Sequence, residues 1–394
     1  MKIKFNTSLK ASKESVVLYS FLFSGVTFGI GNFDSFPWHV VFIFLLCIRG
    51  FKVADIFICL SILLLIFLTA LVDQDQFDMK LFLRQILNYL SIIVGGSYLY
   101  SQPPKINKLT KIITIVLILN IIISILQNYS EIFTLFSNAR FESSGPRGTV
   151  GLFSEPTAFG LFSCFCFLYS IIVIRLSKEE LLKKNAKNLL ILSLVSVAFA
   201  NQSSTAVMII LVFLFLNLFQ SFKTLLILTF MISYFFISYL YFPETRLALI
   251  ITLIVENDLL YLLAMDGSIN ERLSSVVGPY FGLIEGYFLP NSTFGYHQTY
   301  LNLREYTDSF FWWGGSAKIM NYIGTIMYEL SVVGLLLIYR YVFFSFKGFV
   351  GISFVIIVLF YLNNSVPLLH GYPLLLFAAV SRLSSLAKYG RKHS

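Results

Sequence analysis

Long apolar runs recur along the whole chain and are separated by short polar segments. A helix needs about 20 apolar residues to cross the hydrocarbon core of a bilayer. Hydrophobic residues make up 57% of the chain and charged residues only 12%, whereas soluble domains carry about 25% charged residues. The sequence therefore predicts an all-α, polytopic integral membrane protein, with one membrane domain over residues 1–394. About 12 transmembrane helices are expected, at residues 16–33, 36–50, 54–72, 82–99, 109–129, 151–174, 188–200, 205–220, 222–242, 319–339, 348–362 and 366–386.

The basic residues are divided unevenly between the two sides that these spans define. The chain carries 29 Lys and Arg against 20 Asp and Glu, a net charge of +9. Cytoplasmic loops are enriched in Lys and Arg, so both termini are predicted to be cytoplasmic. The positive charge is then a property of the inner loops, and nucleic acid is not an expected partner. Only a minority of the basic residues fall on the outer side: Lys80, Arg84, Arg140, Arg147, Arg246, Arg272, Arg304 and Lys318.

One long segment, residues 243–318, is predicted to lie outside the membrane between spans 9 and 10. Its apolar stretch Leu247–Val255 is too short to cross and is interpreted as an interfacial or re-entrant helix. The rest is rich in Tyr, Phe, Trp and Gly, which argues against disorder. Two interpretations of the aromatic residues stay open, a surface for stacking sugars and a belt that anchors the loop at the membrane interface.

A second external segment reads RFESSGPRGTVGLFSEPTAFG, from Arg140 to Gly160. Arg140 and Arg147 are placed against the positive-inside rule, and arginine is suited to bidentate binding of phosphate. Glu155 precedes Pro156, a residue favoured in the first turn of a helix. Glu155 is therefore either a helix cap or an ionisable functional group at the membrane edge. The alternative for the arginines is pairing with Glu131, Glu142 or lipid headgroups.

The stretch RGTVGLFSEPTAFG resembles the Arg…Gly…Glu-Pro-[Ser/Thr] signature of Wzy-type O-antigen polymerases, which belong to the O-antigen polymerase and ligase superfamily. Some members also carry an Arg and a Gly with ten residues between them in the third external loop, as Arg140 and Gly151 have here. Arg304 and Gly315 show the same spacing in the later loop. The resemblance implies a bacterial inner-membrane protein with about a dozen spans, whose residues 243–318 form a large periplasmic loop.

The resemblance also implies a glycosyl transfer that joins undecaprenyl-diphosphate-linked repeat units into lipopolysaccharide O-antigen at the periplasmic face. Cations would stabilise the departing diphosphate, and a base would deprotonate the acceptor hydroxyl. The predicted catalytic residues are Glu155, Arg147 and His297, and the predicted substrate-binding residues are Arg140, Arg272, Arg304 and His370. No metal and no cofactor are expected. Expected partners are lipid-linked glycans and membrane lipids, with a chain-length regulator and a flippase as further candidates.

Three other functions remain open. An O-antigen ligase would use an external His and Arg, a role that His297 or His370 could fill. A capsule or exopolysaccharide polymerase would perform the same chemistry on a different glycan. A flippase or transporter is disfavoured, because no internal repeat is found and charged residues within the predicted spans are few. Those charged residues are Asp55, Arg84, Glu155 and Glu329. Arg84 is interpreted as reaching the outer interface or pairing with Asp78.

Overall fold

The computed structural model describes residues 3–25, 36–46, 53–127, 129, 149–153, 156–201, 203–216, 252, 259–312, 319–341, 352–364 and 366–392. Every regular element within these ranges is a helix. The α-helices are α1 Ile3–Leu22, α2 Trp38–Leu45, α3 Val53–Val72, α4 Met79–Ser101, α5 Ile106–Gln127, α6 Pro156–Leu176, α7 Glu180–Val195, α8 Ser204–Leu216, α9 Leu259–Met265, α10 Gly267–Glu285, α11 Tyr296–Tyr306, α12 Tyr322–Tyr341, α13 Ile352–Asn363 and α14 Tyr372–Lys392.

Four of the described helices are long and apolar enough to cross a membrane, judged by length and composition. They are α3, α5, α6 and the Tyr322–Arg340 part of α12. Shorter apolar helices lie at Thr205–Leu216, Ser353–Asn363 and Tyr372–Leu386. The fold is therefore that of an all-helical membrane protein, as predicted. The number of about 12 spans stays a prediction, and the predicted span at 222–242 and most of Leu247–Val255 lie outside the described residues.

Two helices differ in extent from the apolar runs that predicted them. Helix α1 begins at Ile3 instead of residue 16, because its polar first turns are helical without being apolar. It is followed by a short 3₁₀ turn at Phe23–Gly25, well before the predicted end at residue 33. Helix α2 covers Trp38–Leu45 of the predicted 36–50, of which residues 47–50 lie outside the described residues. Hydropathy reports the membrane-compatible part of a helix and not its hydrogen-bonded length.

Helix α6 lies at the centre of the bundle, and α3 lies at its edge. Within the apolar window of each helix, 83% of the α6 residues are buried against 22% of the α3 residues. Helix α6 packs against α7, α8 and α14. Its approach to α8 requires Gly160, where an added Cβ would lie 2.5 Å from Ser203 Cβ. The helix that begins at the Glu-Pro signature is therefore the one held most firmly by its neighbours.

Polar contacts join helix ends that the predicted topology places on the same side of the membrane. At the predicted cytoplasmic end, Lys108 Nζ lies 2.9 Å from Glu14 Oε2, and Arg340 pairs with Asp55. At the predicted outer end, Thr149 donates its backbone N–H to the Ala200 carbonyl over 3.2 Å. Ala200 belongs to the π-helical stretch Ser196–Asn201 between α7 and α8, next to the polar tip predicted for a hairpin. These contacts therefore agree with the predicted topology. The cytoplasmic position of the termini stays a prediction.

The segment predicted as the long external loop contains three helices, α9, α10 and α11. The buried Asn270 joins its parts, donating from Nδ2 to the Leu263 and Phe310 carbonyls over 3.1 and 2.8 Å. Asn270 Oδ1 also accepts from the Trp312 backbone N–H over 3.1 Å. A single amide that satisfies three backbone groups fixes the path of the chain around α10.

Helix α12 is interrupted at Ser331, whose backbone adopts φ 50° and ψ −129°. The break leaves carbonyls of α12 without helical partners. Residues of the segment 286–292 form hydrogen bonds with α12 at this point. The Asn291 N–H donates to the Tyr328 carbonyl over 3.0 Å, and the Ser331 hydroxyl donates to the Phe288 carbonyl. The segment 286–292 thereby packs into the break in α12.

Candidate active site

The segment 149–153, which precedes the Glu-Pro pair, is held by two side-chain amides of α5. Gln127 Oε1 accepts from the backbone N–H groups of Val150 and Gly151 over 3.2 and 3.0 Å, while Gln127 Nε2 donates to the Gly151 carbonyl over 2.7 Å. Asn120 Oδ1 accepts from the Leu152 N–H over 2.9 Å. Both amides are buried. An irregular segment is thus given the hydrogen bonds that secondary structure would otherwise supply.

Gly151 allows the chain to turn between these two amides. Its φ of +61° lies in the left-handed region that glycine adopts without a steric penalty. A Cβ at this position would also lie 2.8 Å from Asn120 Oδ1. The glycine of the predicted signature therefore has a structural role that the spacing alone did not identify. It lets the backbone approach α5 closely enough for both amides to bind.

The predicted signature residues Arg140, Arg147 and Glu155 lie outside the described residues. The structure does describe the chain on either side of Glu155, from Thr149 to Phe153 and from Pro156 onwards. Phe153 is fully buried, with its ring centroid 6.0 Å from that of Phe159 in α6.

Arg272 extends from α10 to the start of α6. Its Nη2 donates to the Thr157 hydroxyl over 2.8 Å, and both side chains are partly exposed. Thr157 is the third residue of the Glu-Pro-Thr signature. The structure therefore brings one predicted substrate-binding arginine from the long loop onto the signature, although 115 residues separate the two in sequence.

Helix α10 also contacts the ends of two other helices near the signature. The Ser275 carbonyl accepts from Asn321 Nδ2 over 3.5 Å at the start of α12. The Tyr280 hydroxyl donates to Asn363 Oδ1 over 2.9 Å at the end of α13. Burial raises the pKa of the Tyr280 phenol, partly offset by this hydrogen bond, so the phenol remains a neutral donor. Helix α10 thus lies across one end of the bundle.

His370 lies near Gly25, as does Phe153 of the segment 149–153. A Cβ at Gly25 would lie 2.4 Å from the Phe153 ring and 3.6 Å from His370 Nε2, so both side chains are adjacent to Gly25. His370 is only 2% exposed, and its Nδ1 lies 2.7 Å from the Tyr372 hydroxyl. His370 is therefore a buried residue in the neighbourhood of the segment 149–153. Its predicted binding of substrate stays a prediction.

His297 and Arg304 lie on the exposed face of α11. They are seven residues apart, so they share a helix face about two turns from one another. Tyr300, between them, donates to the Phe311 carbonyl over 3.1 Å. Burial raises the pKa of the Tyr300 phenol, and the Arg304 guanidinium partly opposes that shift.

The aromatic residues of the long loop fall into two groups. Phe294, Tyr296 and Tyr300 are buried and pack the loop against the bundle. Tyr287 and Tyr306 are 87% and 80% exposed. Burial raises the pKa of Tyr296, as expected for a phenol inside a packed interface. The exposed group is the one that either sugars or a membrane interface would contact.

Several residues of the site were not identified from the sequence. Asn120 and Gln127 lie in an apolar run and are seven residues apart, so they share one helix face. Polar side chains at that spacing inside a predicted span are a signal for a buried partner. Among the residues that the structure describes, no group of three or more His, Cys, Asp or Glu side chains has a geometry for metal binding.

Comparisons with protein-family models, with curated proteins and with solved structures give no match for this chain.

Proposed function

We propose that the chain is a membrane glycosyltransferase that polymerises undecaprenyl-diphosphate-linked repeat units into O-antigen at the outer face of the bacterial inner membrane. The contact between Arg272 and Thr157 supports this proposal most directly. It attaches the long loop, which would hold the glycan, to the segment that contains the signature. The signature carries the cations and the carboxylate that such a transfer requires.

The reaction needs no activated nucleotide, because the lipid diphosphate is itself the leaving group. The acceptor hydroxyl attacks the anomeric carbon of the donor glycan and loses its proton to a base. The bond between that carbon and the diphosphate oxygen breaks, and the diphosphate keeps the electron pair. Arg147 and Arg140, with Arg272 beside the signature, would neutralise the developing negative charge. Glu155, eight residues after Arg147, is the carboxylate of the signature itself.

The transfer also requires both lipid carriers to remain in the bilayer while their sugars react outside it. An all-helical bundle with a structured external loop is suited to this separation. Helix α10 is anchored to three helix ends, which favours a rigid cover of one end of the bundle by this helix. A ligase would share these features and differ only in its acceptor. A transporter would have to move α10 away from the end of the bundle to let its substrate pass.

Deletion of the gene in its host separates these functions by the surface polysaccharide that remains on a gel. A polymerase mutant is expected to display single repeat units on lipid A core. A ligase mutant would display bare core while lipid-linked polymer accumulates. An exopolysaccharide polymerase mutant would keep its lipopolysaccharide and lose the other polymer. Long O-antigen chains on lipid A core after deletion would contradict both the polymerase and the ligase functions.

Substitution of Arg147 or Glu155 with alanine is expected to abolish chain extension while the protein is still inserted at normal levels. Loss of one positioned charge from a reacting site costs on the order of 10²-fold or more in rate. The measurement is the O-antigen ladder of a deletion strain complemented with each variant. Lys183→Ala provides a control, because its exposed contact with Glu180 is remote from the signature in the predicted inner segment. A ladder of normal length in either test variant removes that residue from the mechanism.

Arg272→Ala is expected to reduce chain extension by about tenfold or more, because a hydrogen bond to a charged group contributes roughly 1.5–3 kcal/mol. Thr157→Val removes the same contact and leaves the guanidinium in place. If Arg272 also binds diphosphate, Thr157→Val will reduce the rate less than Arg272→Ala. The double variant then resembles Arg272→Ala alone. Equal losses in the two single variants would restrict Arg272 to positioning the signature.

A further inference from the structure

Glu329 places a carboxylate inside the helix bundle, in the outer half of α12. The residue is 3% exposed, and its Oε2 accepts a hydrogen bond from the Tyr89 hydroxyl of α4 over 2.8 Å. The Thr293 hydroxyl and the Gln85 amide also lie beside the carboxylate. An ionisable group within the apolar part of a membrane protein is costly to bury, and such groups commonly mark sites of function.

The same carboxylate borders a small polar cavity. The cavity has a volume of about 20 Å³ and is lined by Gln85, Glu329, Arg84, Asn88, Thr293 and Thr325, with apolar residues around them. Its lining residues Arg84 and Asn88 are partly exposed, so the cavity is not sealed within the core. A volume of this size holds one water molecule or one hydroxyl group.

Gln85 supplies an unused donor to this cavity. Its side chain is 2% exposed and lies beside the Glu329 carboxylate, but the Gln85 Nε2 makes no hydrogen bond of acceptable geometry to that carboxylate or to any other described group. A buried donor without a partner costs about 1–3 kcal/mol. Tyr89 and Glu329 could link α4 to α12 by themselves, so a purely structural role would not require an unpaired donor at Gln85. The unpartnered amide therefore indicates that a polar group from a ligand completes the cavity.

The break in α12 accounts for the position of the cavity. Ser331 departs from helical geometry two residues after Glu329, and the segment 286–292 enters there. That insertion brings Thr293 of the external loop next to the carboxylate. The turn between α13 and α14 contributes Pro367 and Leu368 to the wall, three and two residues before His370. The cavity and the signature segment thus lie on either side of one short turn.

We propose that this cavity binds the attacking hydroxyl of the acceptor sugar, with Gln85 donating to the hydroxyl oxygen and Glu329 accepting from its hydrogen. This inference rests on the proposed function. As the hydroxyl oxygen bonds to the anomeric carbon of the donor, its proton passes to the Glu329 carboxylate. The diphosphate leaves with the electrons of the broken bond. Glu329 thereby takes the role of base that the sequence assigns to Glu155 or His297.

The charges around the cavity favour a hydroxyl over a cation. A metal ion or ammonium group would have to approach the Arg84 guanidinium, which lines the same cavity. An anion such as phosphate would meet the Glu329 carboxylate. A hydroxyl group donates one hydrogen bond and accepts another, which matches the carboxylate acceptor and the free amide donor. A bound water has the same capacity, and the experiment below separates the two.

The test uses the full-length protein in lipid nanodiscs, with lipid-linked repeat units extracted from host cells that lack the gene. Lipid-linked polymer serves as the donor and single-repeat lipid as the acceptor. Glu329→Gln keeps an oxygen that accepts from Tyr89 but cannot take up a proton, so kcat should fall by about 10²-fold or more. The KM for donor should not change. Gln85→Leu removes the donor to the hydroxyl and should raise the KM for acceptor about tenfold.

Tyr89→Phe is the matched control, because it removes the structural contact with Glu329 and leaves the cavity lining intact. It is expected to lower the melting temperature and to leave the KM for acceptor unchanged. Wild-type kinetics in Glu329→Gln would overturn the proposal and indicate a bound water only. A melting temperature that falls in all three variants, with kcat and KM unaltered, would overturn it in favour of a structural link. A wild-type protein that forms no polymer would refute the proposed function itself.

Discussion

Replacing Gly151 with alanine is expected to stop chain extension and to lower the melting temperature of the protein. An L-residue in the left-handed region costs about 1–2 kcal/mol, and Gly151 has a φ of +61°. The added Cβ would also lie 2.8 Å from Asn120 Oδ1, the acceptor for the Leu152 N–H. The segment must then leave α5, and the buried amides of Asn120 and Gln127 lose their partners.

The functional loss should exceed the loss of stability, because residues 149–153 connect the predicted arginines to Glu155. A displacement of about 1 Å in a positioned group can cost on the order of 10²-fold in rate. The O-antigen ladder and thermal unfolding of the purified variant measure the two effects. Gly295→Ala is the control, since its φ is −74° and an added Cβ would lie 3.5 Å from Asp73, an ordinary contact. Normal ladders from Gly151→Ala would show that this backbone geometry is dispensable.

The sequence predicted the helical class and the approximate positions of the described membrane helices, because apolar runs report directly on burial in lipid. Helix α4 shows how closely an apolar run predicts the boundaries of a helix. The apolar run begins at residue 82, whereas the helix begins at Met79 after Asp78, whose carboxylate accepts from the Lys80 and Leu81 N–H groups. Capping is encoded by local polar residues that a hydropathy run excludes.

Contacts between distant residues could not be predicted from one sequence. Glu329 was identified as a charge within a span, but its partner Tyr89 is 240 residues away. The break at Ser331 follows no proline, and its cause is the docking of a loop segment in three dimensions. Arg272 and Arg304 were both predicted to bind substrate, and Arg304 alone of the two showed the Arg–Gly spacing, yet it is Arg272 that contacts Thr157 of the signature. Pairing of this kind depends on how helices pack and has no local signature.

Arg340→Ala is expected to destabilise the folded protein by about 3 kcal/mol, the largest effect on stability at the predicted cytoplasmic end. Arg340 pairs with Asp55, whose side chain is 4% exposed against 38% for the arginine. Asp55 lies in the first turn of α3 and Arg340 in the last turn of α12, so each charge also suits the dipole of its own helix. Truncation of the arginine leaves a carboxylate in a site that is almost dry.

Thermal unfolding in nanodiscs measures this loss, and two further variants identify its cause. Asp55→Leu combined with Arg340→Met replaces the pair with apolar side chains and should recover most of the stability, because the penalty comes from burying a carboxylate without its arginine. Lys108→Ala breaks the more exposed pair with Glu14, whose side chains are 25% and 29% exposed. That substitution should cost no more than about 1 kcal/mol. If Arg340→Ala costs no more than Lys108→Ala, the buried pair does not hold α3 against α12, and α3 is retained at the edge of the bundle by apolar packing alone.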